Sequence, residues 1–302
     1  YDVNVIDSLG KNSDSIRKFG SFTLIGIDED EILREININS KYAFIYCRTV
    51  EDLFSVERIV KKLKQNTNLK IILFENIQTT NSFSLRKISD YLFKLGVDAL
   101  ILGEPEITSL KALDYFEKNH NPKDIPDFGY KIDEKYYVNE EKYFNKNLDE
   151  LPFPKWEIFD LEGYWNLGFA HPPIKTGRKF LPLITSRGCP YRCKFCVSPT
   201  LNPTWRARSA ENVVKEIEYF KNKMNIVDFH VSDLDPTVSD KRTKDICNEL
   251  INKNLKIEWK FAQGTKIETI KSLETLDLLK KSGLTFFSFS PESGSKNLMK
   301  KL

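Results

Sequence analysis

The sequence predicts an α/β protein of two domains, a doubly wound Rossmann-like domain followed by a partial β/α barrel. The first observation is that short apolar runs alternate with segments of helical period along most of the 302 residues, a pattern typical of parallel sheets with crossover helices. The second is a stretch rich in Pro, Tyr, Lys and Asp that interrupts this alternation. We predict the Rossmann-like domain over residues 1–120, a linker over 121–179 and the barrel over 180–302.

Four apolar runs in the first domain have the length and composition of strands. They lie at residues 3–6, 42–46, 69–74 and 99–102. Two stripes at helical spacing lie between them, formed by Leu53, Val56, Val60 and Leu63 and by Leu85, Ile88, Leu92 and Leu95, and residues 30–36 add a short helix. A doubly wound domain binds ligands at the C-terminal ends of its strands.

The second domain repeats the alternation in four β/α units. Its strands are predicted at residues 180–184, 226–231, 256–261 and 285–290. Ser209 is the predicted N-cap of the first connecting helix, and further helices are predicted at about residues 241–252 and 273–282. Sites in β/α barrels lie at the C-terminal ends of the strands, and a cysteine-rich loop follows the first of these strands.

Composition limits the classes of function. A net charge of +3, with 29% charged residues, is too small to favour nucleic acid or an anionic membrane. No apolar run approaches the ~20 residues of a membrane span. Five cysteines do not form a disulfide pattern, so we expect a reducing cytoplasm. The chain begins without Met and ends inside a predicted helix, which predicts a fragment truncated at both ends.

The cysteine-rich loop places Cys189, Cys193 and Cys196 within eight residues. Three thiolates that close together can converge on one metal centre, and no fourth ligand is evident nearby. This donor set suits an iron-sulfur cluster with one iron left open, because thiolates are the usual protein ligands of such clusters. A zinc loop, or three thiols that merely share a turn, are the alternatives.

The spacing C-x-x-x-C-x-x-C, with Phe195 before the last cysteine, resembles the signature of the radical S-adenosylmethionine enzymes. The resemblance implies that the three cysteines hold a 4Fe-4S cluster and that S-adenosylmethionine (SAM) chelates the open iron. It also implies that Phe195 lies beside the adenine. One electron from the cluster would then cleave SAM to methionine and a 5'-deoxyadenosyl radical.

Four further residues are expected to contact SAM. Asp233 follows the second barrel strand, where the family resemblance implies an acid for the SAM amino group; the alternative is a solvated loop acid. Glu292 and Ser293 resemble the family segment near the ribose, although Ser293 or Ser295 could instead cap a helix. Gln263 ends the third strand at the same rim and is expected to line the pocket.

The first domain resembles the cobalamin-binding domain of one radical SAM subgroup, through residues 1–7, 96–99 and 103–106. The segment 148–156 resembles the joint between the two domains in that subgroup. Phe74 to Ile77 depart from it, because the family has a glycine pair and a histidine there, and no D-x-H-x-x-G motif is present. The cobalamin contacts implied at the strand ends are Cys47, Arg48, Glu75, Gly103 and Glu104.

The resemblance implies cleavage of SAM and hydrogen abstraction from a small molecule, with flavodoxin or ferredoxin as electron donor. With methylcobalamin bound the outcome is C-methylation; radical cyclisation or rearrangement is the other family outcome. One rival is a radical SAM enzyme without cobalamin, whose first domain is structural. The other is a zinc-bound RNA module, which the near-neutral charge disfavours and whose RNA contacts would be Arg187, Arg192, Lys194, Arg206 and Arg208.

Overall fold

A computed structural model describes residues 1–47, 49–75, 85–168, 170, 172–175, 177–289 and 291–301. The chain divides into two compact units, Tyr1–Asn145 and Lys146–Leu302. Across the described residues, no helix combines the length and apolar character that crossing a bilayer requires. Each unit is built around its own sheet.

The first unit begins with two short helices and a hairpin. They are α1 (Ser8–Lys11), the antiparallel strands β1 (Ile16–Phe19) and β2 (Phe22–Ile25), and α2 (Glu29–Glu35). The strand predicted at residues 3–6 is wrong: residues 1–7 are irregular, and Val3 is 73% exposed. Alternating apolar residues form a strand only where a partner strand accepts their hydrogen bonds, and none of the described strands lies beside them. The short helix predicted at residues 30–36 is confirmed as α2.

The remaining elements of the first unit form a five-stranded sheet with helical connections. They are β3 (Tyr42–Tyr46), α3 (Val50–Asn66), β4 (Lys70–Phe74), α4 (Ser89–Leu95), β5 (Ala99–Ile101), α5 (Pro105–Phe116), β6 (Phe128–Ile132) and β7 (Lys135–Val138). The strands predicted at 42–46, 69–74 and 99–102 are confirmed as β3, β4 and β5. These three pair in parallel, whereas β6 and β7 are antiparallel.

The sheet is mixed rather than doubly wound. Its strands follow the order β3-β4-β5-β6-β7, so the described strands lack the reversal of order that defines a doubly wound sheet. The predicted linker at residues 121–179 contains β6 and β7. The surrounding stretch is rich in Pro, Tyr, Lys and Asp, which is typical of a linker, but the aromatic side chains of Phe128 and Tyr130 are buried in the sheet.

The two faces of this sheet are covered by different helices. Ile71, Leu73 and Leu100 pack in one apolar cluster with α3 and α4. Ile72 and Ile101, their neighbours along the strands, pack in another with α5. This alternation is the period of two that a strand imposes, and each such side chain contributes about 1.5–3 kcal/mol by leaving water.

The second unit contains a four-stranded parallel sheet and its connecting helices. Its elements are α6 (Leu161–Leu167), β8 (Leu181–Leu183), β9 (Ser186–Arg187), α7 (Ser198–Leu201), β10 (Arg206–Ala207), α8 (Ala210–Met224), β11 (Asp228–Val231), α9 (Asp240–Asn252), β12 (Glu258–Phe261), α10 (Leu273–Lys281), β13 (Leu284–Phe286) and α11 (Lys296–Met299). The sheet order is β13-β12-β11-β8. All four predicted strands and the three helices between β8 and β13 are confirmed, with Ser209 capping α8. Closure into a barrel stays a prediction.

One face of this sheet is apolar and is covered by helices. Its strand residues Leu183, Phe229 and Phe261 pack in one cluster with Ile217 of α8 and Ile246 of α9. Because the four strands are parallel, the C-terminal ends of β8, β11, β12 and β13 lie along one edge. The loops that follow them can meet there.

Candidate functional site

The cysteine loop is closed at its base by two short strands. β9 pairs with β10, so that Arg187 lies opposite Arg206, and the Cys189 N–H donates to the Asn202 carbonyl at 3.2 Å. Gly188 has a φ of 80°, and a Cβ atom there would lie 2.1 Å from the carbonyl oxygen of Thr204. Only glycine fits this close approach of two backbone segments.

The three cysteines of this loop are free and half-buried. The Cys196 N–H donates to the Cys193 carbonyl at 3.0 Å, and the Ser198 N–H donates to the Cys196 sulfur at 3.4 Å. Burial raises the pKa of the Cys189 thiol, a backbone hydrogen bond from Tyr191 opposes this, and the nearby charges of Asp235, Cys193 and Cys196 raise it further. The three sulfurs therefore lie within electrostatic reach of one another.

The chemistry of this donor set fits an iron-sulfur cluster. Thiolates are the usual protein ligands of such clusters, and three of them leave one iron without a protein ligand. Among the described residues, no group of three His, Cys, Asp or Glu side chains is arranged to hold a metal ion. The thiols thus share one loop without forming a single-ion coordination shell, and the closed four-ligand arrangement of a structural zinc site is not found in this part of the chain.

Asp233 does not present its carboxylate to an open site. It is 2% exposed; its Oδ1 accepts from the Thr185 N–H at 2.7 Å, and its Oδ2 accepts from the Thr185 and Ser186 hydroxyls at 2.6 and 2.5 Å. Burial raises the pKa of this carboxyl, and these hydrogen bonds oppose the rise. Asp233 thus fixes the segment that leads from β8 into the cysteine loop, and its contact with the SAM amino group stays a prediction.

Asp235 is the functional candidate that the sequence reasoning missed. Its Oδ1 accepts from the N–H and hydroxyl of Thr237 at 3.0 and 3.1 Å and from the Thr265 hydroxyl at 2.9 Å. Among the described residues, its Oδ2 accepts only the Lys266 N–H, at 3.4 Å. Asp235 is 3% exposed and acts electrostatically on Cys189, so it is a buried carboxylate near the cysteine loop. The signal was a second acid in the same Ser232 to Asp235 run.

Gln263 and Phe195 lie where a ligand could reach them. Gln263 is half-buried in the loop after β12, and that loop is tied to the end of β13 because the Thr265 N–H donates to the Ser288 carbonyl at 2.9 Å. Phe195 is 59% exposed in the cysteine loop. Both positions are compatible with the predicted contacts to SAM, which stay predictions.

The segment after β13 shows the helix cap that was the alternative for its serines. The Ser293 hydroxyl accepts from the Ser295 N–H at 3.0 Å, and the Ser295 hydroxyl accepts from the Leu298 N–H at 3.4 Å at the start of α11. Glu292 is exposed. The contacts of Glu292 and Ser293 with the ribose stay predictions.

Two cations of the predicted RNA surface point inward. Arg208 forms an ion pair with the buried Glu216 and donates to the Ile184 carbonyl at 2.9 Å. Arg206 donates to the Asn202 side chain at 3.2 Å and to the Thr204 carbonyl at 3.3 Å. These guanidinium groups hold the base of the cysteine loop and are not offered to a phosphate backbone.

The residues proposed as cobalamin contacts lie at the ends of β3, β4 and β5. Arg48 lies outside the described residues. Cys47 is buried, and burial, followed by the charges of Asp52 and Glu75, raises its pKa to about 12. A Cβ atom at Gly103 would lie 2.7 Å from Oδ2 of Asp127, so a side chain of this unit fills the space that the glycine leaves.

The two glutamates at this edge accept hydrogen bonds from backbone groups of the same unit. The buried Glu75 carboxylate accepts from the Leu85 N–H at 2.6 Å, and the buried Glu104 carboxylate accepts from the Asn145 N–H at 2.9 Å. The four described candidates are therefore at the predicted edge, and the side chains of Cys47, Glu75 and Glu104 are buried in their own unit. Their contacts with a corrin stay predictions.

Residues 183–302 match the Radical SAM superfamily. Over 99% of its length the chain is 23% identical to the "Uncharacterized methyltransferase PH0819" of Pyrococcus horikoshii, covering 59% of that protein. It is 33% identical to the cytidylyl-2-hydroxyethylphosphonate methyltransferase of Streptomyces wedmorensis over 51% of the chain and 29% of that protein. It is 28% identical to an anaerobic magnesium-protoporphyrin IX monomethyl ester cyclase of Cereibacter sphaeroides over 50% of the chain and 24% of that protein.

The fold is similar to that of a solved cobalamin-dependent enzyme. The structure of the SAM radical enzyme OxsB with aqua-cobalamin bound superposes with a TM-score of 0.69 and 20% identity, covering 90% of this chain and 38% of OxsB. The chain thus spans about three fifths or less of the length of each relative named here.

Proposed function

We propose that this chain, whose residues 183–302 form a radical SAM domain, belongs to an enzyme that cleaves SAM reductively. The observation that carries the proposal is a loop of three free, half-buried thiols at the C-terminal end of β8. A 4Fe-4S cluster held by these thiolates would supply the single electron that cleaves SAM to methionine and a 5'-deoxyadenosyl radical, which abstracts hydrogen from a substrate.

The residues in and around the cysteine loop have different proposed roles in binding the cluster and SAM. Cys189, Cys193 and Cys196 would bind the cluster, and the backbone contact at Gly188 together with the Asp233 hydrogen bonds fixes the base of their loop. Oδ2 of the buried Asp235 accepts one long hydrogen bond among the described residues and can accept another from an ammonium group.

Four residues complete the proposed SAM site. Phe195 can cover an adenine face, and Gln263 offers an amide at the rim. Glu292 and Ser293 can accept from or donate to ribose hydroxyls.

The proposed outcome is C-methylation or radical cyclisation of a small molecule. Support comes from the curated relatives, which are named as methyltransferases and a cyclase. An electron donor such as flavodoxin or ferredoxin is the proposed partner. A reducing cytoplasm is the proposed setting, because all five cysteines are free.

Dependence on cobalamin is one of two candidates for the first unit. The similarity to OxsB favours it. The inward-turned Glu75 and Glu104 and the filled space at Gly103 favour the second candidate, in which this unit is structural and the enzyme works without a corrin.

The test is anaerobic reconstitution of the full-length protein with iron, sulfide and hydroxocobalamin, followed by desalting and absorption spectroscopy. We expect bound iron and sulfide, and cleavage of SAM when a strong reductant is added. Zinc with no visible absorption would overturn the proposal. Retained corrin absorption would decide for cobalamin dependence, and a cluster without corrin would decide for the structural role of the first unit.

A further inference from the structure

A lysine from the loop after β12 contacts the cysteine loop through an aromatic ring. The ammonium nitrogen of Lys266 lies 4.5 Å from the ring centroid of Tyr191, and Tyr191 stands between Cys189 and Cys193 in the sequence. This distance is within the ~6 Å at which a cation is attracted to an aromatic face. The two strand-end loops are therefore joined directly beside the thiols.

Both partners of this contact belong to the strand-end loops of the proposed site. The Lys266 carbonyl accepts from the N–H and hydroxyl of Thr269 at 3.1 and 2.5 Å, and its N–H donates to Asp235. Tyr191 lies two residues from both Cys189 and Cys193 in the same loop. The contact with Lys266 therefore restrains the loop that carries the proposed cluster ligands. The backbone of Lys266 is itself held by the hydrogen bonds with Thr269 and Asp235.

The ammonium group of Lys266 has no ion-pair partner among the described residues. Among the described residues, no carboxylate forms a salt bridge with its ammonium group, although Glu268 and Asp235 act electrostatically on the same tyrosine. Lys266 is exposed, so ordering its flexible side chain over Tyr191 costs conformational entropy that an attractive contact must offset. The cation–π attraction between the ammonium group and the Tyr191 ring is that contact.

We propose that Lys266 is a positioning residue that clamps the cysteine loop through Tyr191 and whose charge favours the reduced form of the cluster. The inference rests on the proposed function, because it requires a cluster on the three thiolates. Reduction adds one negative charge to the cluster, and a nearby cation stabilises that charge. The reduction potential of an iron-sulfur cluster follows the charge and hydrogen bonding around it.

The test uses the full-length protein, reconstituted without oxygen, in the variants Lys266→Met, Lys266→Arg, Tyr191→Leu and Tyr191→Phe. The readouts are the midpoint potential from a spectroscopic redox titration and the rate of iron loss to a chelator. Lys266→Met should shift the potential to more negative values and speed iron loss about two- to fivefold, the effect of one exposed cation–π contact. Lys266→Arg and Tyr191→Phe should behave like the wild type, because charge and ring are kept.

A double variant and a distant lysine sharpen the test. Lys266→Met and Tyr191→Leu should not add in the rate of iron loss, since both remove one contact. Lys241→Met removes the same charge from an exposed residue of α9 that pairs with Asp245, and it should change neither readout. An unchanged potential and unchanged iron loss in Lys266→Met would overturn the inference. A wild-type protein that binds no cluster would instead overturn the proposed function.

Discussion

Both units end their parallel strands at an edge that carries acidic side chains and a cysteine, yet the two edges use these groups differently. In the first unit the carboxylates of Glu75 and Glu104 accept backbone N–H groups of their own unit, and Cys47 is fully buried. In the second unit three half-buried thiols face no disulfide partner, and one oxygen of the buried Asp235 accepts a single long hydrogen bond among the described residues. The same place in an α/β fold becomes a site only where side chains are left unused.

The largest expected effect is the loss of the proposed cluster site at the edge of the second unit. Replacing Cys189, Cys193 or Cys196 with Ala removes one of three thiolate ligands, and we expect reconstituted protein to lose its bound iron and all SAM cleavage. Iron and sulfide analysis after desalting measures this. Cys247→Ala is the matched control, because this buried cysteine lies in the core of the second unit and should leave iron content unchanged. A loop variant that keeps both cluster and cleavage would contradict the site.

The next effect concerns the base of the loop. Gly188→Ala places a Cβ atom 2.1 Å from a backbone oxygen at positive φ, where the conformation alone costs about 1–3 kcal/mol. We expect low iron retention and a lower midpoint of thermal unfolding. Gly177→Ala also has a positive φ but no atom within 4 Å, so it isolates the conformational cost. Equal behaviour of the two variants would show that the contact with Thr204 is unimportant.

A third comparison separates the two acids of the strand end after β11. Asp235→Asn should weaken SAM binding about 10- to 100-fold, the loss of one hydrogen bond to a charged group. Asp233→Asn should lower the free energy of unfolding by about 1–3 kcal/mol and leave SAM affinity nearly unchanged. Equilibrium binding of SAM and denaturant unfolding measure the two effects. A reversed result would return the ammonium contact to Asp233.

The smallest effect is a difference in thiol reactivity between the edges. Burial raises the pKa of Cys47 to about 12 and that of Cys247 to about 11, so both stay protonated and unreactive well above neutral pH, since the thiolate is the nucleophile. Iron-free protein treated with iodoacetamide at pH 8 should be labelled in the cysteine loop and spared at these two positions. Mass spectrometry of the peptides reads the result, and labelling of Cys47 in folded protein would show that the first edge is open.

Local sequence patterns predict the elements whose residues are set by burial or by helical period. The buried runs that became β4 and β11 and the apolar stripes of α3 and α8 appear in the sequence because burial and helical period leave their own marks. Strand pairing leaves no such mark, which explains why residues 3–6 were overpredicted and β6 and β7 were assigned to a linker. The order of the sheet was missed for the same reason.

The candidate site divides in the same way. Three cysteines in one loop are visible from spacing alone. Whether Asp233 or Asp235 keeps a free oxygen depends on hydroxyl groups of Thr185 and Thr265, which are distant in the sequence. Only the packed structure distinguishes a carboxylate that is already bonded from one that is available.

The short pairing of β9 with β10 has a consequence for how the site is assembled. It brings together the two ends of the 18-residue segment between Arg187 and Arg206 through backbone pairing, so part of the loop-closure entropy is lost through these contacts rather than through metal binding. A metal group that binds later needs to order only the tip of this segment. Small zinc domains, in contrast, fold only when the ion binds. Loss of a cluster bound by this loop should therefore leave the sheet beneath it folded.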